Sequence, residues 1–124
     1  MILVVEDDAP VAQLIAKILQ RHGFQSEIVS DGQSALARAR ELRPEMILAD
    51  LTIRGMGGQA LCSAIKSVPE TQDIRVVVVS GDIDIARKAR ECGADDYIEK
   101  PFDSFDKLIR MVEKHARAES GKTD

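Results

Sequence analysis

Met46-Ile47-Leu48-Ala49-Asp50-Leu51-Thr52-Ile53-Arg54-Gly55-Met56-Gly57-Gly58 begins as an apolar run, stops at a carboxylate and passes into a glycine-rich loop. Four consecutive apolar residues, Met46 to Ala49, have the pattern of a strand buried on both faces, as in a parallel sheet. Asp50 then stands at the carboxyl end of that strand, where open α/β sheets hold their ligands. Glycines beyond it suit a backbone that bends sharply or closely approaches another group. Alone, Asp50 reads equally well as a helix cap or turn residue. Three other strand ends change that reading.

Ile2-Leu3-Val4-Val5 is a second apolar run, and it ends in Glu6-Asp7-Asp8. Three adjacent acids leaving a buried strand are costly unless something positive is held among them. Asp8 is accounted for as the cap of the next helix, because Pro10 falls in its first turn, where a missing N–H is harmless. Two acids remain. Val11, Leu14, Ile15, Ile18 and Leu19 recur at helical spacing as one apolar stripe, and Gly23 stops that helix.

Gln25 to Val29 is a less apolar strand, expected nearer an edge. Asp31-Gly32 turns the chain into a second helix, Gln33 to Leu42, which Pro44 ends. A third helix, Gln59 to Lys66, is expected to turn Ala60, Leu61, Ala64 and Ile65 inward. Val76 to Val79 is the most apolar strand and ends in Ser80-Gly81-Asp82. The fourth helix, about Asp84 to Glu91, carries Arg87, Lys88 and Arg90 with few apolar residues, so it is expected to dock loosely. Asp96 to Glu99 forms a last short strand, followed by Lys100-Pro101-Phe102. A final helix runs from about Ser104 to Arg117, capped by Asp103, with Phe105, Leu108, Ile109 and Val112 on one face. Residues 118–124 read as a polar tail or the start of a linker.

Five strands alternating with five helices imply an α/β, doubly wound parallel sheet with helices on both faces. A dinucleotide-binding fold needs six strands and a glycine-rich first turn, and the turn here is acidic. The five-strand order 2-1-3-4-5, flavodoxin-like, fits better, with its crevice between strands 1 and 3. That crevice collects Glu6, Asp7, Asp50, Ser80 and Lys100. The 124 residues allow one domain, placed at 1–117.

The totals exclude several classes. Hydrophobic residues make up 44% and charged residues 31%, an ordinary soluble composition without a membrane-spanning run or a signal segment. The cytoplasm is the expected location, with no membrane partner. A formal net charge of −4 gives no support for direct nucleic-acid binding by this segment, and aromatics at 3% leave no stacking platform for bases. Cys62 and Cys92 match neither a metal knuckle nor a disulfide framework, and read as small buried or half-buried thiols. His22 and His115 are expected to be solvated.

Carboxylates crowded together repel, and a cation bound among them favours their ionised form. Oxygen-only donors at a shallow, wet strand end suit Mg²⁺, with Mn²⁺ as a substitute, whereas the absence of His and Cys argues against zinc. An Asp beside such a cation can attack a phosphoryl group to form an acyl phosphate. Lys100 would neutralise phosphoryl oxygens and the Ser80 hydroxyl would donate to them. Each piece has a plainer reading, Lys100 as a salt-bridge partner of Asp50 and Ser80 as a strand-end cap. Their meeting at four strand ends of one crevice favours the chemistry.

The chain resembles the receiver domain of the two-component response regulators over residues 1 to about 117. The matching segments are Val4-Val5-Glu6-Asp7-Asp8, Ile47-Leu48-Ala49-Asp50, Val78-Val79-Ser80-Gly81 and Gly93-Ala94-Asp95-Asp96-Tyr97-Ile98-Glu99-Lys100-Pro101-Phe102. The resemblance implies that Asp50 is the phosphoacceptor, fed by a histidine kinase or phosphotransfer protein. It implies Mg²⁺ on Asp7, on Glu6 through water, on Asp50 and on the Thr52 backbone carbonyl. It further implies a phosphoryl contact from Lys100, a cis Lys100–Pro101 bond, and switch roles for Ser80 and Tyr97. Thr52 and Asp82 stand where the family tunes phosphoryl lifetime. Arg54 replaces the family's usual Pro, so the loop is expected to be more mobile.

By the same resemblance, the face of helix 4, strand 5 and helix 5, here with Arg87, Lys88, Arg90, Tyr97 and Lys107, controls a downstream partner or an output domain outside this segment. Such a domain catalyses its own phosphorylation and dephosphorylation without being a turnover enzyme. Other readings are a receiver-fold interaction module that is never phosphorylated, an Asp-nucleophile phosphatase and a flavin binder. The phosphatase needs a second acid near the nucleophile, where Thr52 stands, and a cap for which the chain has no length. A flavin binder lacks its aromatic pair.

Overall fold

The computed structural model describes residues 1–53, 55–100 and 105–116. Arg54, the Lys100–Pro101 bond, the Asp103 cap and the polar tail lie outside the described residues. Five strands, β1 (Ile2–Val5), β2 (Ser26–Val29), β3 (Met46–Asp50), β4 (Arg75–Ser80) and β5 (Asp96–Glu99), alternate with five helices. The helices are α1 (Ala9–Arg21), α2 (Gly32–Leu42), α3 (Gly58–Ser67), α4 (Ile85–Cys92) and α5 (Asp106–His115). The strands form one sheet in the order β2-β1-β3-β4-β5, with every neighbouring pair parallel.

Successive side chains of a strand point to opposite faces, and here both faces are apolar. Leu3, Val5, Ile47, Ala49, Val76 and Val78 pack with Ala35 and Ala39 of α2, Leu61, Cys62 and Ile65 of α3, and Ile85, Ala89 and Cys92 of α4. Ile2, Val4, Met46, Leu48, Val77, Val79 and Ile98 pack on the other face with Ile15 and Leu19 of α1 and Leu108, Ile109 and Val112 of α5. The unbroken apolar runs of β1, β3 and β4 are thus required by burial on both sides. Half-exposed β2 and β5 are the edges, as the polar residues in them demand.

Local signals set the turns. Asp8 caps α1 by accepting the Val11 N–H at 3.2 Å, and Asp31 caps α2 by accepting the Ser34 N–H at 2.8 Å. Gly23, with φ of 87°, follows α1 in the left-handed conformation that favours glycine. Gly58 is required by a close approach, since a Cβ there would sit 2.5 Å from the Asp50 carbonyl oxygen. The first turn of α3 therefore rests directly on the end of β3.

Three expectations are corrected. Leu14 is 47% exposed, because α1 turns Ala12, Ile15 and Leu19 inward and a residue at 100° per step places Leu14 outside that arc. Ala60 is exposed and Cys62 is buried in its stead, because the inward arc of α3 runs through Gly58, Leu61, Cys62 and Ile65. His115 is not solvated: its side chain is 9% exposed and its Nε2 lies 3.1 Å from Asp96 Oδ2. Cys62 and Cys92 are buried free thiols, as expected, and they meet across α3 and α4.

One polar tie runs beneath the sheet. Lys66 of α3 donates to the Ile74 carbonyl at 2.8 Å and pairs with Asp95 at 2.8 Å. Asp95 also accepts the Val76 N–H at 2.8 Å, which fixes the entry to β5 against β4. Burial works to raise the Asp95 carboxyl, and the Lys66 ammonium with the Val76 N–H outweighs it, leaving the group below the usual Asp range.

Candidate functional site

Main-chain bonds carry β1, β3 and β5 one residue past their last pairs, at the same rim as the carboxyl end of β4. Glu6 N–H donates to the Val29 carbonyl at 3.0 Å, Leu51 N–H to the Val79 carbonyl at 2.9 Å, and Lys100 N–H to the Ser80 carbonyl at 2.9 Å. These bonds fix the backbone from which Glu6, Asp50, Ser80 and Lys100 project. A few per cent of Asp50, Glu6 and Ser80 is exposed, so three polar side chains are buried at one rim.

Asp50 divides its oxygens. Oδ2 lies 2.5 Å from Lys100 Nζ, and Oδ1 accepts both the Thr52 N–H and the Thr52 hydroxyl at 2.8 Å. Burial tends to raise its carboxyl; the Lys100 ammonium and the two Thr52 donors overcome that and leave it below its ordinary value. Glu6 is in the opposite condition. Burial is the first cause that raises its carboxyl, the Asp8 N–H at 3.2 Å opposes, and the neighbouring Asp50 charge adds to the rise. Lys100 reaches Glu6 only at 3.9 Å. The Lys100 amine, which burial would deprotonate, is held charged by Asp50.

The site therefore sets two neighbouring acids, Glu6 and Asp50, against the Lys100 ammonium. Among the described residues no three Asp, Glu, His or Cys side chains form a ready-made metal cage. The donors present are oxygen only, and their mutual repulsion fits a hard cation that takes one or two carboxylates and keeps its waters. Asp7, adjoining Glu6, is partly exposed.

Ser80 Oγ accepts the Asp82 N–H at 2.9 Å, and the Asp82 side chain points to α4, where it pairs with Lys88. Tyr97 is 36% exposed and lies outside the buried rim. The expected residues at the strand ends are thus brought together, with Tyr97 and Asp82 at its margin. The Thr52 side chain, expected to tune phosphoryl lifetime, also donates its hydroxyl to Asp50 directly; a hydroxyl two residues after a strand-end Asp is the signal that finds this contact. The Lys88 contact was missed, for no sequence period links a loop acid to it. A groove of about 510 Å³ between α1 and β2, along Met1, Lys17, Phe24 and Ile28, holds none of these groups.

Known proteins resemble this chain in sequence and in fold. The family model of the response regulator receiver domain matches residues 2–113. The DNA-binding response regulator MtrA of Mycobacterium tuberculosis is 36% identical over 110 residues, which is 89% of this chain and 48% of that protein. The chain spans about half the length of such curated relatives. The signal receiver domain of a histidine kinase from Syntrophus aciditrophicus superposes with a TM-score of 0.85 at 33% identity, over 98% of this chain and 96% of the other. The receiver domain of the Pseudomonas aeruginosa sensor histidine kinase PA1611 shares the fold at a TM-score of 0.84 and 23% identity, over 92% and 94% of the chains; that structure has a magnesium ion coordinated in its active-site cleft. Among the described residues no helix is long and apolar enough to cross a membrane.

Proposed function

This chain belongs to the response regulator receiver domain family, the phosphorylatable switches of two-component signalling, and we propose that Asp50 is its phosphoacceptor. The observation that carries the proposal is the condition of Asp50: nearly buried, ionised by Lys100 and Thr52, and aimed from the rim of a parallel sheet. An Asp50 carboxylate oxygen attacks the phosphorus of a phosphohistidine on a histidine kinase or phosphotransfer protein. The new P–O bond forms as the P–N bond breaks, and the imidazole leaves with its electron pair and takes a proton from water. Lys100 passes from the carboxylate to a phosphoryl oxygen, and Ser80 donates its hydroxyl proton to another.

Glu6, Asp7, Asp50 and the Thr52 carbonyl are the groups that would hold Mg²⁺, or Mn²⁺ in its place. Bound there, the cation neutralises charge on the transferring group. The chain's own part is to keep Asp50 ionised, to hold it in one orientation, and to screen its apolar side with Val4, Leu48 and Val79. Thr52 and Asp82, at the mouth, govern how readily water reaches the acyl phosphate. The work is self-phosphorylation and self-dephosphorylation, in the cytoplasm, rather than turnover of a diffusible substrate.

The added 1.5–2 negative charges, roughly, draw Ser80 and Lys100 onto the phosphoryl group and favour a minor conformation of the domain. Tyr97 turns inward as Ser80 moves, and the surface of α4, β5 and α5 passes the change to a downstream protein or an attached output domain. Relatives that are DNA-binding regulators support the second arrangement. Intact mass after incubation with Mg²⁺ and a small phosphoryl donor tests the reading. One phosphoryl group should add to the wild type and none to Asp50→Ala or in the presence of chelator. A wild type that takes no phosphoryl group and binds no beryllofluoride would instead be an interaction module of the same fold.

A further inference from the structure

The turn between β4 and α4 carries a continuous chain of contacts from the buried rim to the helix surface. Ser80 Oγ accepts the Asp82 N–H at 2.9 Å. Asp82 Oδ1 accepts the Asp84 N–H at 2.8 Å, and the Asp82 carbonyl accepts the Ile85 N–H at 3.1 Å, so this residue is held from both its side chain and its backbone. Its second carboxylate oxygen pairs with Lys88 Nζ on α4, with about a third of each side chain exposed. Lys88 is itself anchored, because Gln59 of α3 donates to its carbonyl at 3.4 Å. Lys88 and then the Asp84 N–H hold the Asp82 carboxyl below its usual range.

A serine hydroxyl has one proton and two lone pairs. While Ser80 accepts from Asp82, its proton is free, but moving the oxygen toward a new anion stretches the bond to the Asp82 N–H. The ease of that movement depends on how firmly Asp82 is held, and its carboxylate is ion-paired with Lys88. We propose that Lys88 is a positioning residue: its ion pair with Asp82 keeps the Ser80 hydroxyl in the resting place and thereby lowers the affinity of the site for a phosphoryl group. The inference rests on the reading of Asp50 as acceptor. A different physical effect has the opposite sign. If the Asp82 charge acted on the phosphoryl group directly, removing Lys88 would leave that charge unscreened and weaken binding, while removing Asp82 would strengthen it.

The two are separated by calorimetric titration with beryllofluoride and Mg²⁺ of the wild type, Lys88→Met, Lys88→Arg, Asp82→Asn and the Lys88→Met/Asp82→Asn double variant. Urea midpoints of each variant keep loss of folding apart from loss of affinity. Lys88→Met and Asp82→Asn should each tighten binding about two- to fivefold, the range of a half-exposed ion pair. The double variant should bind no tighter than either single one, and Lys88→Arg should restore the wild-type value. Unchanged or weaker binding by Lys88→Met overturns the proposal, as do effects that multiply in the double variant. Failure of the wild type to bind beryllofluoride, with no mass gain dependent on Asp50, overturns the underlying reading and the proposal with it.

Discussion

Asp50 meets a cation through one oxygen and neutral donors through the other, so removing either partner leaves a nearly buried charge short of compensation. Lys100→Met should lower stability by about 1–3 kcal/mol, since water reaches the half-exposed position left behind but not the carboxylate itself. Adding Asp50→Asn should recover part of that loss, because the amide needs no counter-charge. Urea unfolding of the single and double variants checks both. At this scale the sequence spoke clearly wherever a polar residue ended an apolar run, as Glu6, Asp50 and Ser80 do. It was silent on Lys88 and on the burial of His115, because each is decided by a side chain reaching across elements.

Elements are held by ties of the kind that joins Lys66, Asp95 and the Val76 N–H. The folded carboxyl of Asp95 lies below its unfolded value, so its contribution is complete above the unfolded pKa of about 3.9 and fades as pH falls toward the lowered folded value. Asp95→Asn should cost about 1–3 kcal/mol at neutral pH, with the gap to wild type closing in acid. Urea midpoints taken at several pH values measure it. Strands and helices were legible because apolar runs of four and a 3.6-residue period are strong signals. Facing was less so. Leu14 and Ala60 are apolar residues just outside arcs already filled by Ala12, Ile15 and Leu19, and by Leu61, Cys62 and Ile65, and composition alone does not show which arc meets the sheet.

For the molecule as a whole, the strand order was readable because an acidic first turn and five strand–helix units admit few topologies. The way a charge at Asp50 changes a distant surface is not written in any motif. The path through Ser80, Asp82 and α4 predicts that phosphorylation alters amide exchange over residues 81 to 98. Exchange mapped by mass spectrometry with and without the phosphoryl group tests this, and identical maps would sink the proposed route.

Among the described residues, the sheet separates two apolar interiors that share no side chain, one under α1 and α5 and the other under α2, α3 and α4. Each side must absorb its own changes in volume, because a methyl lost on one face leaves a gap that residues on the other face cannot fill. Descendants of this chain are therefore free to revise one interior at a time. The rim that carries Asp50 belongs to the dividing layer, so it stays in register through either revision.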